Sequence, residues 1–410
     1  MYEGKIIKFY REKAQLTQEQ LGRGICSDTH ISKIERGSTE YAPEIITLLS
    51  KRLDINIEQE AIRLKNIRTR LLHWHDVIIE QLFEDMDKLN NELEREHLVQ
   101  LSDYKALYSL LKARYYLMHS QPANAYKIIK QINKVAHQLP LYETNLFKHV
   151  LGMYYMTKQD YFKAIDTLNA IVYEDYNNHE YYYHLAVAYH TVQSPIMAYY
   201  YAEKSLVFFK SINSFLRVID AEMLMLIQVK DDKNRDFKET IRRFEKLLLS
   251  CDICNAPTRK ARVLHNLAFE YLRRQDYESA SRYYQQSMSL KEIKSAPYLL
   301  SLEGYIRSCL DGALFSRDEL IKMTQDGLAI AKGIKESLYI LLFNLILFLI
   351  KKQDAEYHHY LSDQALPKFR EYGYTYLIQR SEKELFNYYS KTNQHDKAME
   401  IALVLINHEN

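Results

Sequence analysis

One spacing recurs along the chain and constrains it more than any other feature. A small residue is followed twelve positions later by a second small residue, and four beyond that by an apolar one. Ala113, Ala125 and Ile129 obey it, as do Gly152, Ala164 and Leu168. Ala186, Ala198 and Ala202 repeat it, and so do Ala268, Ala280 and Tyr284. A last copy, Phe386, Ala398 and Ala402, is degenerate at its first position. Two helices packed side by side need small residues where they touch, because only a small side chain lets them approach closely. The tripeptide QDY falls between the two small positions twice in register, at Gln159 and Gln275. Five copies are clear, and the wider gaps between them leave room for about three more.

The composition agrees with paired helices. The chain has 410 residues with only 10 Gly and 7 Pro, so few residues break helices. An all-α fold is expected. With 47% hydrophobic and 26% charged residues it is globular and not disordered. Its 35 Tyr against a single Trp suit half-buried helix contacts, with the ring packed and the hydroxyl wet. The start, MYEGKIIKFYREKAQ, is charged throughout and lacks the apolar stretch of a secretion signal. Leu338 to Ile350 is the most apolar run, but 13 residues are too few to span a bilayer, so no membrane role is expected. Four cysteines in so long a chain make no disulfide framework, and a reducing cytoplasm is the expected setting.

No chemistry-bearing pattern stands out. Cys251 and Cys254 have metal or redox spacing, but no second such pair supplies the remaining ligands. His73 with His75, and His358 with His359, are badly spaced for one helix face. Glu94 and Glu96 read as an exposed helix face. There is no glycine-rich phosphate loop and no nucleophile elbow. Neither an enzyme, a metal site nor a cofactor is expected.

The first 70 residues differ from the rest. They hold 13 Lys/Arg against 10 Asp/Glu, and the remainder holds 42 against 43. Ile6, Ile7, Phe9 and Tyr10, with basic residues among them, predict an amphipathic helix. Thr17 and Gln20 are spaced as a capping box for a second short helix. Ser27 is suited to cap a third, over Asp28 to Arg36, stopped by Gly37. Ile31 and Ile34 face inward in that reading, leaving Asp28, Thr29, His30, Ser32 and Lys33 outward. Pro43 opens a further helix. Two short helices across a tight turn, the second exposing small polar and basic residues, have the geometry for a major groove. The candidate DNA-contacting residues are Gln18, Ser27, Asp28, Thr29, His30, Lys33 and Arg36, with Gln18 aimed at a phosphate.

These residues carry a resemblance. Thr17-Gln18, Leu21, Ile31 and Ile34-Glu35-Arg36-Gly37 resemble the helix-turn-helix of the Cro/lambda-repressor type. The turn is one residue shorter than the common pattern, with Ile25-Cys26-Ser27 within it. The spacing in the remainder resembles the tetratricopeptide repeat, which stacks helix pairs into a right-handed superhelix with a concave face. Boundaries at 1–60 for the helix-turn-helix domain, 61–75 for a linker helix and 76–410 for the repeats follow. On the expected concave face lie Asn266 and, by a looser alignment, Asn344; a carboxamide can both donate to and accept from a peptide backbone. Arg114, Arg217, Arg262 and Arg273 are candidates there for a ligand carboxylate. Each of the six competes with a plain structural role.

Together the two parts resemble the peptide-pheromone receptors of Gram-positive bacteria, the RRNPP family, with length, turn and repeat number nearest its NprR-type members; PlcR-type members share the turn but are shorter. That resemblance implies a transcriptional regulator controlled by a short secreted and re-imported oligopeptide. It implies a homodimer or higher oligomer, with two heads on a pseudo-palindromic operator in double-stranded DNA. It also admits two alternatives. One is a Rap-like protein that holds a response regulator, with Gln81 and Gln100 available to orient a hydrolytic water. The other is a ligand-free phage or plasmid repressor.

Overall fold

The computed structural model describes residues 2–39, 42–228 and 237–408. Every long element among them is a helix, and no strand occurs among the described residues. The chain divides into two compact units, one of residues 1–154 with 171–177, the other of 155–170 with 178–410.

The first unit opens with α1 (Tyr2–Lys13), α2 (Gln18–Gly22), α3 (Asp28–Arg36) and α4 (Pro43–Leu53). Ile6 and Ile7 of α1, Leu21 of α2, Ile31 and Ile34 of α3 and Leu49 of α4 are wholly buried and form its small core. The capping box at Thr17 is present in both directions, Gln20 N to Thr17 Oγ1 at 3.1 Å and Thr17 N to Gln20 Oε1 at 2.8 Å. Gly37 ends α3 with φ 69°, the left-handed conformation that spares glycine a steric penalty. Gly4 lets α1 lie directly on α3: a Cβ there would sit 2.1 Å from the Ile34 carbonyl oxygen. The long α5 (Ile57–Glu80) follows after a short turn in which Asp54 takes a left-handed conformation and Asn56 caps the new helix. It buries Leu64, Ile67, Leu71, Trp74 and Ile78 along one side. Then come α6 (Phe83–Glu94), α7 (Ser102–Met118), α8 (Pro122–Asn133) and most of α9 (Leu141–Thr157).

The second unit holds α10 (Tyr161–Asn169), α11 (Tyr181–Thr191), α12 (Pro195–Ser211), α13 (Phe215–Gln228), α14 (Phe237–Ile253), α15 (Pro257–Arg273) and α16 (Tyr277–Ser289). It continues with α17 (Ala296–Asp311), α18 (Arg317–Gly333), α19 (Ser337–Lys351), α20 (Asp354–Tyr360), α21 (Leu366–Glu371), α22 (Thr375–Lys391) and α23 (His395–His408). A single π-helical stretch, Leu361–Ala365, joins α20 to α21.

The repeated spacing marks helix pairs, as its physics requires. Ala113, Ala125, Ala164, Ala186, Ala198, Ala202, Ala268 and Ala280 are all 0% exposed. In every copy the residue seven after the first position has a positive φ: Ser120 at 56°, Gln159 and Gln193 at 60°, Gln275 at 62° and Asn393 at 58°. The turn between paired helices is thus fixed in register without glycine. Gln and Asn take the left-handed position in a chain that spends almost no glycine on its turns. The degenerate last copy is the loosest: Phe386 and Ala402 are only half buried. The apolar run Leu338 to Ile350 lies within α19, whose Leu342, Phe343, Leu345 and Ile346 are core residues. No helix among the described residues is long and apolar enough to cross a membrane.

Candidate functional sites

The first site is the α2–turn–α3 unit. Ser27 caps α3, its Oγ accepting from His30 N at 3.2 Å. Asp28 Oδ1 accepts from the Thr29 amide at 2.7 Å and from its hydroxyl at 3.3 Å. An acid in the first turn also suits the helix dipole. Thr29, Lys33 and Arg36 are exposed, and their spacing of four and three puts them on one side of α3. Arg36 is partly tied back, donating from Nε to Ser32 O at 3.1 Å.

Two expectations need correction here. His30 does not point outward: its Nε2 is buried and unpaired, because the helix turn that exposes Thr29 and Lys33 rotates residue 30 toward the interior. Gln18 does not extend freely toward a phosphate: its Nε2 donates to Glu35 Oε2 at 2.8 Å. One amide hydrogen of Gln18 is thereby used and one remains.

Glu35 is the residue that sequence reasoning passed over. Its side chain is 3% exposed, yet it pairs with Arg11 of α1 through Nε to Oε1 at 2.5 Å and through Nη2 to Oε2 at 3.0 Å. Arg11, Glu35 and Gln18 therefore bind α1, α3 and α2 into one unit through a bidentate ion pair and an amide. Glu35 holds the Arg11 guanidinium above its ordinary value despite the opposing burial. The sequence signal was present, an acid between two inward-facing positions of an amphipathic helix.

The second site is a cavity of about 390 Å³ inside the second unit. His265, Phe269 and Leu272 of α15 line one wall. Leu300, Glu303, Gly304 and Arg307 of α17 line the next, followed by Tyr339 and Leu342 of α19. Tyr372 to Leu377 and Arg380 close it on the side of α22, and Gln159, Tyr161 and His190 to Thr191 with Gln193 complete it. The wall is aromatic and apolar with few polar groups, the usual make-up of a ligand pocket. Gly304 makes room for the Tyr284 ring, since a Cβ there would fall 2.4 Å from Tyr284 Cζ. Glu303 and Arg307 are ion-paired at the wall. Burial pushes the Tyr284 and Tyr339 hydroxyls up, so both stay neutral donors in the physiological range.

The expected ligand residues fall into three groups. Asn266, one residue from His265 on α15, is half buried, and among the described residues its side chain makes no hydrogen bond. Asn344 is different: its Nδ2 donates to Tyr360 Oη at 3.0 Å, the structural role that competed with the ligand role. Arg273 is exposed and pairs with Glu270 at 3.7 Å, a contact within its own helix.

Arg114 and Arg217 are corrected outright. Arg114 is 0% exposed and meets His75 Nε2 at 3.1 Å. Arg217 is 1% exposed, paired to Glu180 at 3.3 Å and Asp220 at 3.1 Å, with its guanidinium over the rings of Tyr183 and Phe209. Both charges are spent inside the protein, because helix-face register placed them on a side that neighbouring helices cover. Arg262 lies between the groups. It pairs with Asp220 at 2.8 Å but stays 44% exposed. Glu96, expected on an open face, is buried and accepts from Arg63 and Arg70 at 3.3 Å each. Of the two candidate glutamines, Gln81 ends α5 in the left-handed conformation at φ 60°, and Gln100 closes the short 3-10 turn His97–Gln100.

Known proteins carry the same features. Residues 7–59 match a helix-turn-helix family model. The transcriptional activator NprA of Geobacillus stearothermophilus is 21% identical over 394 residues, covering 92% of this chain and 95% of NprA. The chain resembles the RRNPP family of regulators along nearly its whole length. Two solved structures share the fold. The apo form of the quorum sensor NprR from B. thuringiensis superposes with a TM-score of 0.67 at 18% identity, over 84% of this chain and 99% of NprR. A Rap protein complexed with Competence and Sporulation Factor superposes with a TM-score of 0.70 at 14% identity, over 84% of this chain and 98% of the Rap protein. The all-α fold and the helix-turn-helix head agree with these matches.

Proposed function

We propose that the chain is a transcriptional regulator that reads DNA with α3 and is controlled by a short peptide held in its repeat region. The observation that carries the first half is the exposed row Thr29, Lys33 and Arg36 on a helix capped by Ser27 and braced through Glu35. Lys33 and Arg36 supply cations for phosphates or guanine edges, and Thr29 a small donor and acceptor. Asn266 supports the second half: an amide, half buried and unpaired, on the helix whose neighbouring side lines an aromatic cavity. An extended peptide offers the donors and acceptors such an amide lacks. NprR, similar in fold, is a quorum sensor solved also in complex with its cognate peptide NprX, the Rap protein was solved with Competence and Sporulation Factor, and NprA is a transcriptional activator.

In this reading the active form is a homodimer, cytoplasmic, with two α3 helices in successive major grooves of a pseudo-palindromic site. A peptide changes DNA binding only if it binds one state of the protein more tightly than the other. The domain limits are 1–60, 61–75 and 76–410. The helix-turn-helix favours this reading over a response-regulator-binding role alone.

The test is selection of operator sequences from random duplex DNA by the purified chain, with and without a pool of synthetic heptapeptides. Recovery of a two-fold-symmetric motif whose occupancy shifts with peptide is the expected result. Recovery of no motif, with or without peptide, would sink the regulator reading. A motif indifferent to every peptide would leave a ligand-free repressor.

A further inference from the structure

Near the start of α15 a group of cations outnumbers its acids. Asp220 is shared by Arg217 at 3.1 Å, Arg259 at 2.9 Å and Arg262 at 2.8 Å, and Glu180 is taken by Arg217. Lys291, after the end of α16, adds a fourth cation beside Arg262. It is half buried, and no carboxylate lies within 4.0 Å of its Nζ among the described residues. Among the described residues three arginines thus pair with these two carboxylates, and Lys291 pairs with none.

The hydrogen bonds at Lys291 show how its ammonium is held. Ser287 Oγ donates to Ala261 O at 2.6 Å, which uses its only proton. Ser301 Oγ can then donate across the 3.1 Å contact to Ser287 or to His265 Nδ1 at 3.0 Å, and it accepts from Lys291 Nζ at 2.6 Å. Ser301 is 0% exposed, so this network anchors the lysine from below. The ammonium has three donors. Among the described residues only the one to Ser301 is used. Burial and the neighbouring Arg262 lower the Lys291 pKa to about 8, as expected for an ammonium lacking a counter-ion.

We propose that Lys291 and Arg262 form a subsite for a carboxylate of the bound peptide. The proposal rests on the peptide-receptor reading above and adds the chemistry of the ligand to it. Arg262 and Asn266 are one turn apart on α15 and so share a face. A ligand that satisfies both the amide of Asn266 and the two cations carries a peptide bond and a carboxylate within a few residues of each other. That describes an acidic side chain or a C-terminus in an extended peptide and fits neither a nucleic acid nor an apolar molecule. Anchoring by Ser301 leaves the other ammonium donors without a partner among the described residues, so an anion can take them.

The experiment uses the full chain, with Lys291→Met and Arg262→Gln variants. Synthetic random heptapeptides serve as the probe in three pools: free C-termini, amidated C-termini, and free C-termini without Asp or Glu. Retained peptides are identified by mass spectrometry after filtration. In parallel, thermal melts are recorded in succinate and in chloride of equal ionic strength. The wild type should retain carboxylate-bearing peptides about tenfold better than those without, and Lys291→Met should abolish that preference while keeping apolar ones. Succinate should raise the melting temperature of the wild type and leave that of Lys291→Met unchanged. Loss of binding in the amidated pool assigns the carboxylate to the C-terminus; loss in the acid-free pool assigns it to a side chain. Retention of peptides with no carboxylate preference, or with the same preference in Lys291→Met, overturns the subsite and leaves the receptor reading standing. Retention of no peptide while succinate still stabilises only the wild type overturns the receptor reading and keeps the anion site.

Discussion

The helix-turn-helix head and the repeat region solve the same problem, holding short helices together, by opposite means. In the head the residues that lock α1, α2 and α3 are polar: the buried Glu35 with the half-buried Arg11 and Gln18. In the repeats the locking residues are alanines with nothing to offer but absence of bulk, such as Ala186, Ala198 and Ala268. A four-helix head of about fifty residues has too little apolar area to fix its geometry by burial alone, and a directional ion pair adds specificity. The repeat region has area to spare. It adds polar clusters between helices as well, Asp220 of α13 with Arg259 and Arg262 of α15, and Ser301 of α17 with Ser287 of α16 and His265 of α15.

This contrast breaks most readily at Glu35. Glu35→Ala leaves Arg11 enclosed without its partner, and removal of one side of a buried ion pair typically costs about 3–5 kcal/mol. The head should unfold or loosen and DNA binding should vanish, while the repeats keep their own melting transition. Calorimetry of the full chain would show this as an early transition split from the main one. A single unshifted transition would mean the pair contributes no more than a surface bridge.

Next in size are two glycines, one in each region. Gly4→Ala forces a methyl group against the Ile34 carbonyl oxygen, and Gly304→Ala forces one into the Tyr284 ring. Overpacking of this kind costs about 1–3 kcal/mol. Gly4→Ala should lower DNA affinity with the repeats intact. Gly304→Ala should lower repeat stability and distort the cavity with the head intact. Separate limited-proteolysis patterns would check both, and a head that tolerates Gly4→Ala would show that α1 can shift without cost.

How much of this was readable before the structure follows from the range of each interaction. The caps at Thr17, Ser27 and Gly37 and the register of the repeats were legible, because each is set within a few residues along the chain. The turn conformation was legible only as the QDY tripeptide; that Ser120, Gln193 and Asn393 take the same left-handed φ was not, since no residue type is shared among them. Burial of Arg114 and Arg217 was not legible, because helix register gives a side chain's direction but not what covers it. Lys291 escaped for a different reason. It lies in a connecting turn, outside any helical periodicity, and its meaning depends on Ser301, His265 and Arg262 arriving from two other helices. His30 was misplaced by one helical step of about 100°.

Smaller effects separate the two asparagines and the two kinds of DNA contact. If Asn266 meets a peptide backbone, Asn266→Ala should weaken a retained peptide by about 1–3 kcal/mol with the melting temperature unchanged. Asn344→Ala should do the reverse, because its amide already serves Tyr360. Titration calorimetry beside a thermal melt decides, and equal behaviour of the two variants would remove the distinction. On the head, Thr29→Ala and Lys33→Ala should relax operator preference by about 1–3 kcal/mol at the bases they read. Gln18→Ala should weaken every sequence alike and also cost some stability through Glu35. Footprints on matched and mismatched operators would tell these apart.

The smallest effect is a pH dependence that only the repeat region should show. The Lys291 ammonium is pushed down to about 8 from its ordinary value of 10.5. Its cause is burial first and repulsion from Arg262 second; Ser301 and the imidazole of His265 are the other polar groups bonded into its site. Between pH 8 and 10.5 the unfolded chain holds this proton more tightly than the folded one. Stability contributed by this group therefore rises with pH across that window, and the penalty is fully present below it. Lys291→Met removes the penalty, so at neutral pH the variant should melt higher than the wild type, and the gap should close as pH approaches 10. A bound carboxylate acts in the opposite sense. It favours the charged ammonium and raises its pKa, so affinity for an acid-bearing peptide should fall as pH rises through about 8, by no more than about tenfold for each unit the complex shifts that pKa. Lys291→Met should bind the same peptide weakly and without that slope. A wild-type affinity that stays flat from pH 7 to 9 would mean Lys291 never meets the ligand, whatever its place in the network around Ser301.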